Sequence, residues 1–131
     1  MKIQNSVFFN ENFTPAFRKL LDFEFDSSIT IRVIKTMKIL DEQQYAVFLT
    51  RDKLLQDTAE HIDGQVVLHD KSVKFKSVED LEKFKNQFDE LMRDEFDIPL
   101  NAKIKLNSSH KISASHLEAL NSMVEIDDGG V

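Results

Sequence analysis

The segment SVEDLEKFKNQFDELMRDEFDI carries apolar residues at alternating steps of three and four, namely Leu81, Phe84, Phe88, Leu91 and Phe96. This spacing places them on one face of an α-helix. Ser77, followed three residues later by Asp80, resembles a capping box, and Pro99 prevents much continuation. The pattern therefore predicts a helix from Ser77 to about Asp97, with Phe88 in the protein core.

A longer apolar pattern precedes this helix. Its positions at helical spacing are Ile34, Met37, Asp41, Tyr45, Phe48, Leu55, Ala59 and Ile62, all apolar except Asp41. No Gly or Pro interrupts it before Gly64, so it predicts a helix over 28–61 with a length of roughly 50 Å. Alternating β-branched residues at 29–33 allow a second interpretation, a strand there and a helix shortened to 35–61. The Asp63-Gly64 pair is typical of a helix stop.

The N-terminal segment has a weaker pattern. MKIQNSVFF fits either a short strand or the lead into a helix. Thr14 followed by Pro15 is typical of a helix N-terminus, because proline at the first helical position loses no hydrogen bond. The spacing after it predicts a short helix with Phe17, Leu20 and Leu21 facing inward.

Short β segments are predicted after each long helix. QVVLHDKSVKF fits a β-hairpin with its turn near 69–71. NAKIKL, at 101–106, alternates apolar and basic side chains as a half-buried strand does. Ser113 or Ser115 can cap a last short helix. The VEI segment at 124–126 can then pair with the NAKIKL strand.

These elements predict one domain over 1–131 of mainly helical, α+β class. Two long antiparallel helices joined by a β-hairpin form it, together with short helices and strands from the termini. Coiled-coil-like packing would set the stripe of the second helix against that of the first. The first helix is longer, so its surplus apolar surface needs cover from the terminal elements or from another subunit. A homo-oligomer is compatible with this pattern.

Composition excludes several kinds of chemistry. The chain has no Cys, which excludes disulfides, thiolate metal sites and cysteine nucleophiles. Its 3 Gly leave no phosphate-binding loop or dinucleotide fingerprint. The four His lack the spacing of a zinc helix, and the paired carboxylates lie among Lys and Arg on helix faces. The sequence therefore predicts no metal, no cofactor and no enzymatic activity.

Charge and hydropathy bear on the partners. The 23 acidic residues outnumber the 17 basic ones and give a net charge of −6, which disfavours nucleic acid as a partner. No apolar run approaches the roughly 18 residues that span a bilayer, so no membrane is expected. The N-terminal segment lacks the apolar region of a signal peptide. The protein is therefore expected to stay inside a cell and to bind another protein.

Two short segments fall outside the apolar stripes. Most of the 11 Phe residues belong to the stripes, but Phe8, Phe9 and Phe13 precede the first clear helix and are predicted to dock on a neighbour. The C-terminal VEIDDGGV ends in a short acidic arm suited to a basic groove on a partner. The predicted partner-binding residues are Phe8, Phe9, Asp127, Asp128 and Val131.

The order of elements resembles a family of small tailed-phage proteins over nearly the whole chain. The similar segments are IRVIKTMKILDEQQYAVFLTRDKLL, FKNQFDELMRDEFDI and ISASHLEALNSMVEID, with an Asp-Gly break between the first two. FFNENFTPAF departs from the family pattern, in which a more continuous helix is expected. The motifs contain no catalytic signature. The resemblance implies a phage or prophage source, a location in the host cytoplasm or the virion, and no particular activity.

Two functions follow as expectations. The first is a non-enzymatic virion or assembly-associated structural component that acts through protein–protein contacts. The second is a phage-encoded inhibitor or modulator of a host protein, such as a defence nuclease or the transcription machinery, because binding needs only surface. The first is motivated by the resemblance, the absence of a chemical motif and the surplus apolar surface of the long helix, and it ranks only narrowly above the second, because no sequence feature separates them.

Overall fold

A computed structural model describes residues 1–127. The helices are α1 (Phe13–Lys19), α2 (Ser27–Thr58), α3 (Val78–Arg93) and α4 (Ala114–Ala119), and 3₁₀ turns cover Asn5–Phe9 and Leu20–Asp22. The strands are β1 (Lys2–Gln4), β2 (His61–Ile62), β3 (Gln65–Val66), β4 (Leu68–His69), β5 (Ser72–Val73), β6 (Glu95–Asp97), β7 (Ile104–Leu106) and β8 (Val124–Ile126). The predicted mainly helical class with small β elements is confirmed.

The first turns of α2 decide between the two interpretations of its sequence. The stretch at 29–33 is helical, so the alternative with a strand there is wrong. Packing overrides the modest strand preference of the β-branched residues. The predicted inward stripe is also partly wrong, because Ile34 and Tyr45 are exposed. The buried residues of α2 are Val33, Thr36, Met37, Leu40, Val47 and Thr58.

The C-terminus of α2 comes earlier than predicted. Ala59 is extended and bridges Phe75, and the Lys76 N–H donates to the Thr58 carbonyl at 3.0 Å. This bond satisfies a carbonyl that a helix C-terminus would otherwise leave without a partner. The Asp63-Gly64 pair is therefore not the helix stop but the turn between β2 and β3.

Residues 59–76 form a small unit, here called the hairpin cap, that connects α2 to α3. It contains two antiparallel strand pairs, β2 with β3 and β4 with β5. Backbone bonds join Glu60 to Lys74 at 2.8 Å, Val67 to Glu60 at 2.8 Å and Lys74 to Val67 at 2.9 Å. The hairpin predicted to turn near 69–71 is confirmed as β4–β5.

The turn of the β4–β5 hairpin is strained. Asp70 and Lys71 have φ angles of 49° and 66°, a geometry that favours glycine at the second position. Lys71→Gly is expected to raise the free energy of unfolding by about 0.5–1 kcal/mol, because the strain relieved exceeds the entropy that glycine gains in the unfolded chain. Thermal unfolding measures this. Lys74→Gly, in the extended segment after β5, should instead lower the melting temperature, and a fall for Lys71→Gly would contradict the account.

α3 begins as predicted and ends early. The Ser77 hydroxyl accepts a hydrogen bond from the Asp80 N–H at 3.0 Å, which is the predicted N-cap. The helix ends at Arg93 because the chain then extends into β6 and pairs antiparallel with β1, with Phe96 opposite Ile3. Phe96 therefore belongs to a strand rather than to the helical stripe. The first segment forms the strand Lys2–Gln4, followed by the 3₁₀ turn Asn5–Phe9.

Both terminal segments build the core around the N-terminal half of α2. β7 and β8 pair in parallel, with Ile104 opposite Val124, which confirms the predicted pairing of these segments. Ser113 caps α4 by accepting a hydrogen bond from the His116 N–H at 3.3 Å. The largest fully buried hydrophobic side chains are Phe13, Phe17, Leu20, Leu40, Leu106, Leu120 and Met123.

α1 differs from its prediction in two ways. It begins at Phe13 with Asn12 as the N-cap, so Pro15 is not the first helical residue. Proline is still tolerated there, because the first N–H groups of a helix have no intrahelical partner. Leu21, predicted to face inward with Phe17, lies in the following 3₁₀ turn and is exposed, whereas Phe17 is buried.

Candidate protein-binding surface

The apolar stripe of α3 is only half covered by the rest of the chain. Leu81, Phe84, Phe88 and Leu91 are each half-buried, and no residue of α3 is fully buried. The helix packs mainly on α2 and on the 3₁₀ turn Asn5–Phe9. The prediction that Phe88 is a core residue is therefore corrected: its ring lies at the boundary between the protein interior and solvent.

Five phenylalanine rings form a row along the seam between α2 and α3. The centroid of Phe75 lies 5.2 Å from that of Phe84, and Phe84 stacks on Phe88 at 5.3 Å. Phe9 continues the row, 5.2 Å from Phe88 and 5.4 Å from Phe48. These separations are those of favourable aromatic pairs. The row therefore supplies much of the apolar packing that holds α3 to the molecule.

An exposed ion pair also joins the two long helices. The Lys83 ammonium donates a hydrogen bond to the Asp57 carboxylate, and this bond lowers the pKa of Asp57 and raises the pKa of Lys83. Because the pKa of Asp57 is lowered, its contribution to stability is present above the unfolded-state pKa and is lost as the pH falls through the folded value. Exposed pairs contribute little, so the aromatic row is the stronger connection.

A depression of about 890 Å³ lies between the β4–β5 hairpin and the first turns of α3. We call it the distal groove. Its lining residues are Val73, Phe75, Val78, Leu81, His69, Ser72, Lys74 and Ser77. The Ser77 hydroxyl is engaged as the helix cap, and the Lys74 ammonium lies 3.4 Å from the Glu60 carboxylate. No carboxylate of the described residues lines the groove, so it suits an apolar group better than acid–base chemistry.

His61 and His110 form hydrogen bonds with backbone groups of the chain. His61 Nδ1 lies 2.9 Å from the Ala59 carbonyl. His110 Nδ1 accepts from the Asn107 N–H at 3.1 Å, so Nε2 carries the proton and donates to the Glu24 carbonyl at 3.0 Å. Within residues 1–127, no group of three or more His, Asp or Glu side chains could hold a metal ion.

The predicted aromatic contacts at the N-terminus are used inside the chain. Phe8 is 5% exposed, stacks on Phe96 at 5.6 Å between centroids and meets Phe13 edge-on. Phe13 is fully buried. The prediction that these two side chains dock on a neighbour is therefore corrected, because the β1–β6 pairing brings Phe96 over the 3₁₀ turn. Phe9 is half-buried in the aromatic row, so part of its ring faces solvent.

The predicted acidic arm lies far along the chain from the distal groove. Asp127 follows β8, is exposed, and its N–H donates to the Leu106 carbonyl at 2.7 Å. Asp128 and Val131 lie outside the described residues. No sequence pattern indicated the groove residues Val73 and Val78. The signal available at Val78 was a single apolar side chain in the first turn of α3 that lies off the helical stripe.

Comparison with known proteins found no relative of this chain. No family model matches the chain, and no curated protein or solved structure matches it. Among residues 1–127, no helix is both long enough and apolar enough to cross a membrane. The candidate surface therefore rests on the geometry of this chain alone.

Proposed function

We propose that the protein acts without catalysis, as a small virion or assembly-associated structural component that binds another protein at the distal groove. One observation carries the proposal: the distal groove, of about 890 Å³, is open, mainly apolar, and continuous with the half-covered stripe of α3 at Leu81. Interface energy typically comes from a few apolar or aromatic side chains seated in such pockets. The resemblance to small tailed-phage proteins supports the virion setting.

The charge around the groove favours a particular kind of partner. Lys74 lines the groove, and Lys71 and Lys76 are next to lining residues in the sequence, in a chain whose net charge is −6. Lys74 is partly neutralised by Glu60, whereas Lys71 is exposed at the hairpin turn. A partner segment with an apolar anchor and flanking acidic residues would complement both features. Charge complementarity of this kind mainly sets orientation and association rate.

Val78→Asp tests the groove. Val78 is 72% exposed, so the substitution should leave the fold intact while placing a charge where an apolar anchor would bind. In particles purified from a phage that encodes the chain, we expect the amount of the variant to be about tenfold lower than that of the wild type, or lower still. Quantitative mass spectrometry of the particles measures it. Leu21→Asp, at an exposed apolar residue outside the groove, is the matched control and should be retained.

The outcomes separate the two parts of the proposal. Absence of the wild-type chain from particles would remove the virion role. If a host protein then co-purified in stoichiometric amount, the alternative function as a modulator of a host protein would take its place. Equal retention of wild type and Val78→Asp would keep the virion role and place the contact outside the groove.

A further inference from the structure

α2 carries a second apolar face on its solvent side. Four large apolar residues of this helix are between 42% and 70% exposed: Ile31, Ile34, Tyr45 and Leu49. At 3.6 residues per turn they fall within an arc of about 60°. The buried Leu40 and Val47 lie on the opposite side of the same helix. Single exposed apolar residues are ordinary, but four aligned along one face indicate a contact surface.

Two opposite charges occupy the middle of this face. Ile31 and Leu49 are about five turns apart and so lie on one line along the helix. Lys38 and Glu42 fall between them, at equal distances from the two ends, and both are exposed. We call the face formed by Ile31, Ile34, Lys38, Glu42, Tyr45 and Leu49 the outer stripe. Each end of the outer stripe is apolar, and the two central residues carry opposite charges.

We propose that the outer stripe binds a second copy of this chain, with the two α2 helices antiparallel about a two-fold axis midway between Lys38 and Glu42. In this arrangement Ile31 of one copy meets Leu49 of the other. Lys38 meets Glu42 in the same way. Because the axis is two-fold, each contact occurs twice. Lys35, at the edge of the stripe, meets the Tyr45 ring, a favourable cation–aromatic pairing.

The charges select this register over its neighbours. Sliding one copy by a helical turn in one direction sets Lys38 against Lys38, and sliding it in the other direction sets Glu42 against Glu42. A parallel arrangement in register produces both repulsions at once. Like charges placed opposite each other disfavour the wrong alignments, as they do in coiled coils. Only the antiparallel register centred between the two residues pairs both charges with their opposites.

The size of the contact sets its strength. Two single helices meeting over about 27 Å bury less than the roughly 1,200–2,000 Å² typical of stable complexes. The dimer is therefore expected to form reversibly, with a dissociation constant on the order of 10–100 µM. The outer stripe does not include the distal groove, so the dimer does not depend on the proposed function.

Charge reversal provides a sharp test by sedimentation equilibrium of the full chain. Lys38→Glu alone and Glu42→Lys alone each place like charges at both central contacts, and each should raise the dissociation constant at least about tenfold. Mixing the two variants restores opposite charges at both contacts, so a heterodimer should form with close to wild-type affinity. Lys103→Glu, an exposed reversal outside α2, should leave the dimer unchanged.

Cross-linking tests the antiparallel orientation of the two α2 helices. Because the chain has no native cysteine, only the introduced cysteines can react. Ile31→Cys and Leu49→Cys chains mixed together should react with a short bis-maleimide to give a mixed dimer, and neither variant should cross-link to itself. Self-cross-linking of each variant would overturn the antiparallel arrangement. A wild-type chain that stays monomeric at millimolar concentration, or a charge-variant mixture that stays as weak as its components, would overturn the proposal.

Discussion

Replacing Phe17 with alanine is expected to lower the free energy of unfolding by about 3–5 kcal/mol, the largest effect of any substitution considered for this protein. Phe17 is fully buried on α1, which packs on α4 and α2. Truncating its ring removes apolar contacts and leaves a cavity that the surrounding helices can fill only in part. Urea unfolding followed by circular dichroism measures the loss.

Phe88→Ala is the matched comparison. The two residues are chemically identical, but Phe88 is half-buried at the edge of the aromatic row and keeps part of its ring in solvent. Its truncation should cost about 1–2 kcal/mol, because less apolar area leaves water on folding. Equal losses for the two variants would mean that the α3 stripe is covered more completely than its exposure indicates.

Asn5→Ala is expected to lower the free energy of unfolding by about 2–3 kcal/mol, a large effect for a short polar side chain. Asn5 is buried and bonded to both long helices. Its Nδ2 donates to the Leu91 carbonyl at 2.9 Å, and its Oδ1 accepts from Gln43 Nε2 at 2.9 Å. The Leu91 carbonyl lies in the last turn of α3, where intrahelical partners are missing.

Chemical unfolding also measures this prediction, and the N-terminal segment supplies its control. Asn10→Ala removes an exposed hydrogen bond, from the Asn12 N–H at 3.0 Å, that water can replace. Its cost should stay below about 1 kcal/mol. If Asn5→Ala proved as mild as Asn10→Ala, water would be reaching the Leu91 carbonyl, and the 3₁₀ turn would not be the fixed bridge between α2 and α3.

The sequence by itself determined the elements whose causes are local. Ser77 and Asp80 sit at the start of α3 because a hydroxyl and a nearby N–H satisfy each other within one turn. The β4–β5 hairpin and strand β7 followed from patterns over a few residues. The helical character of α2 followed from a long stretch without Gly or Pro.

Only the tertiary structure decided where the long helices end and which faces they bury. α2 stops at Thr58 and α3 at Arg93 because distant segments offer backbone partners, and no local pattern contains that information. α2 has apolar residues on two opposite faces with the same helical period, so periodicity could not say which one meets the core. The distal groove joins residues of the hairpin cap to Val78 and Leu81, and it exists only once that cap has folded against α3.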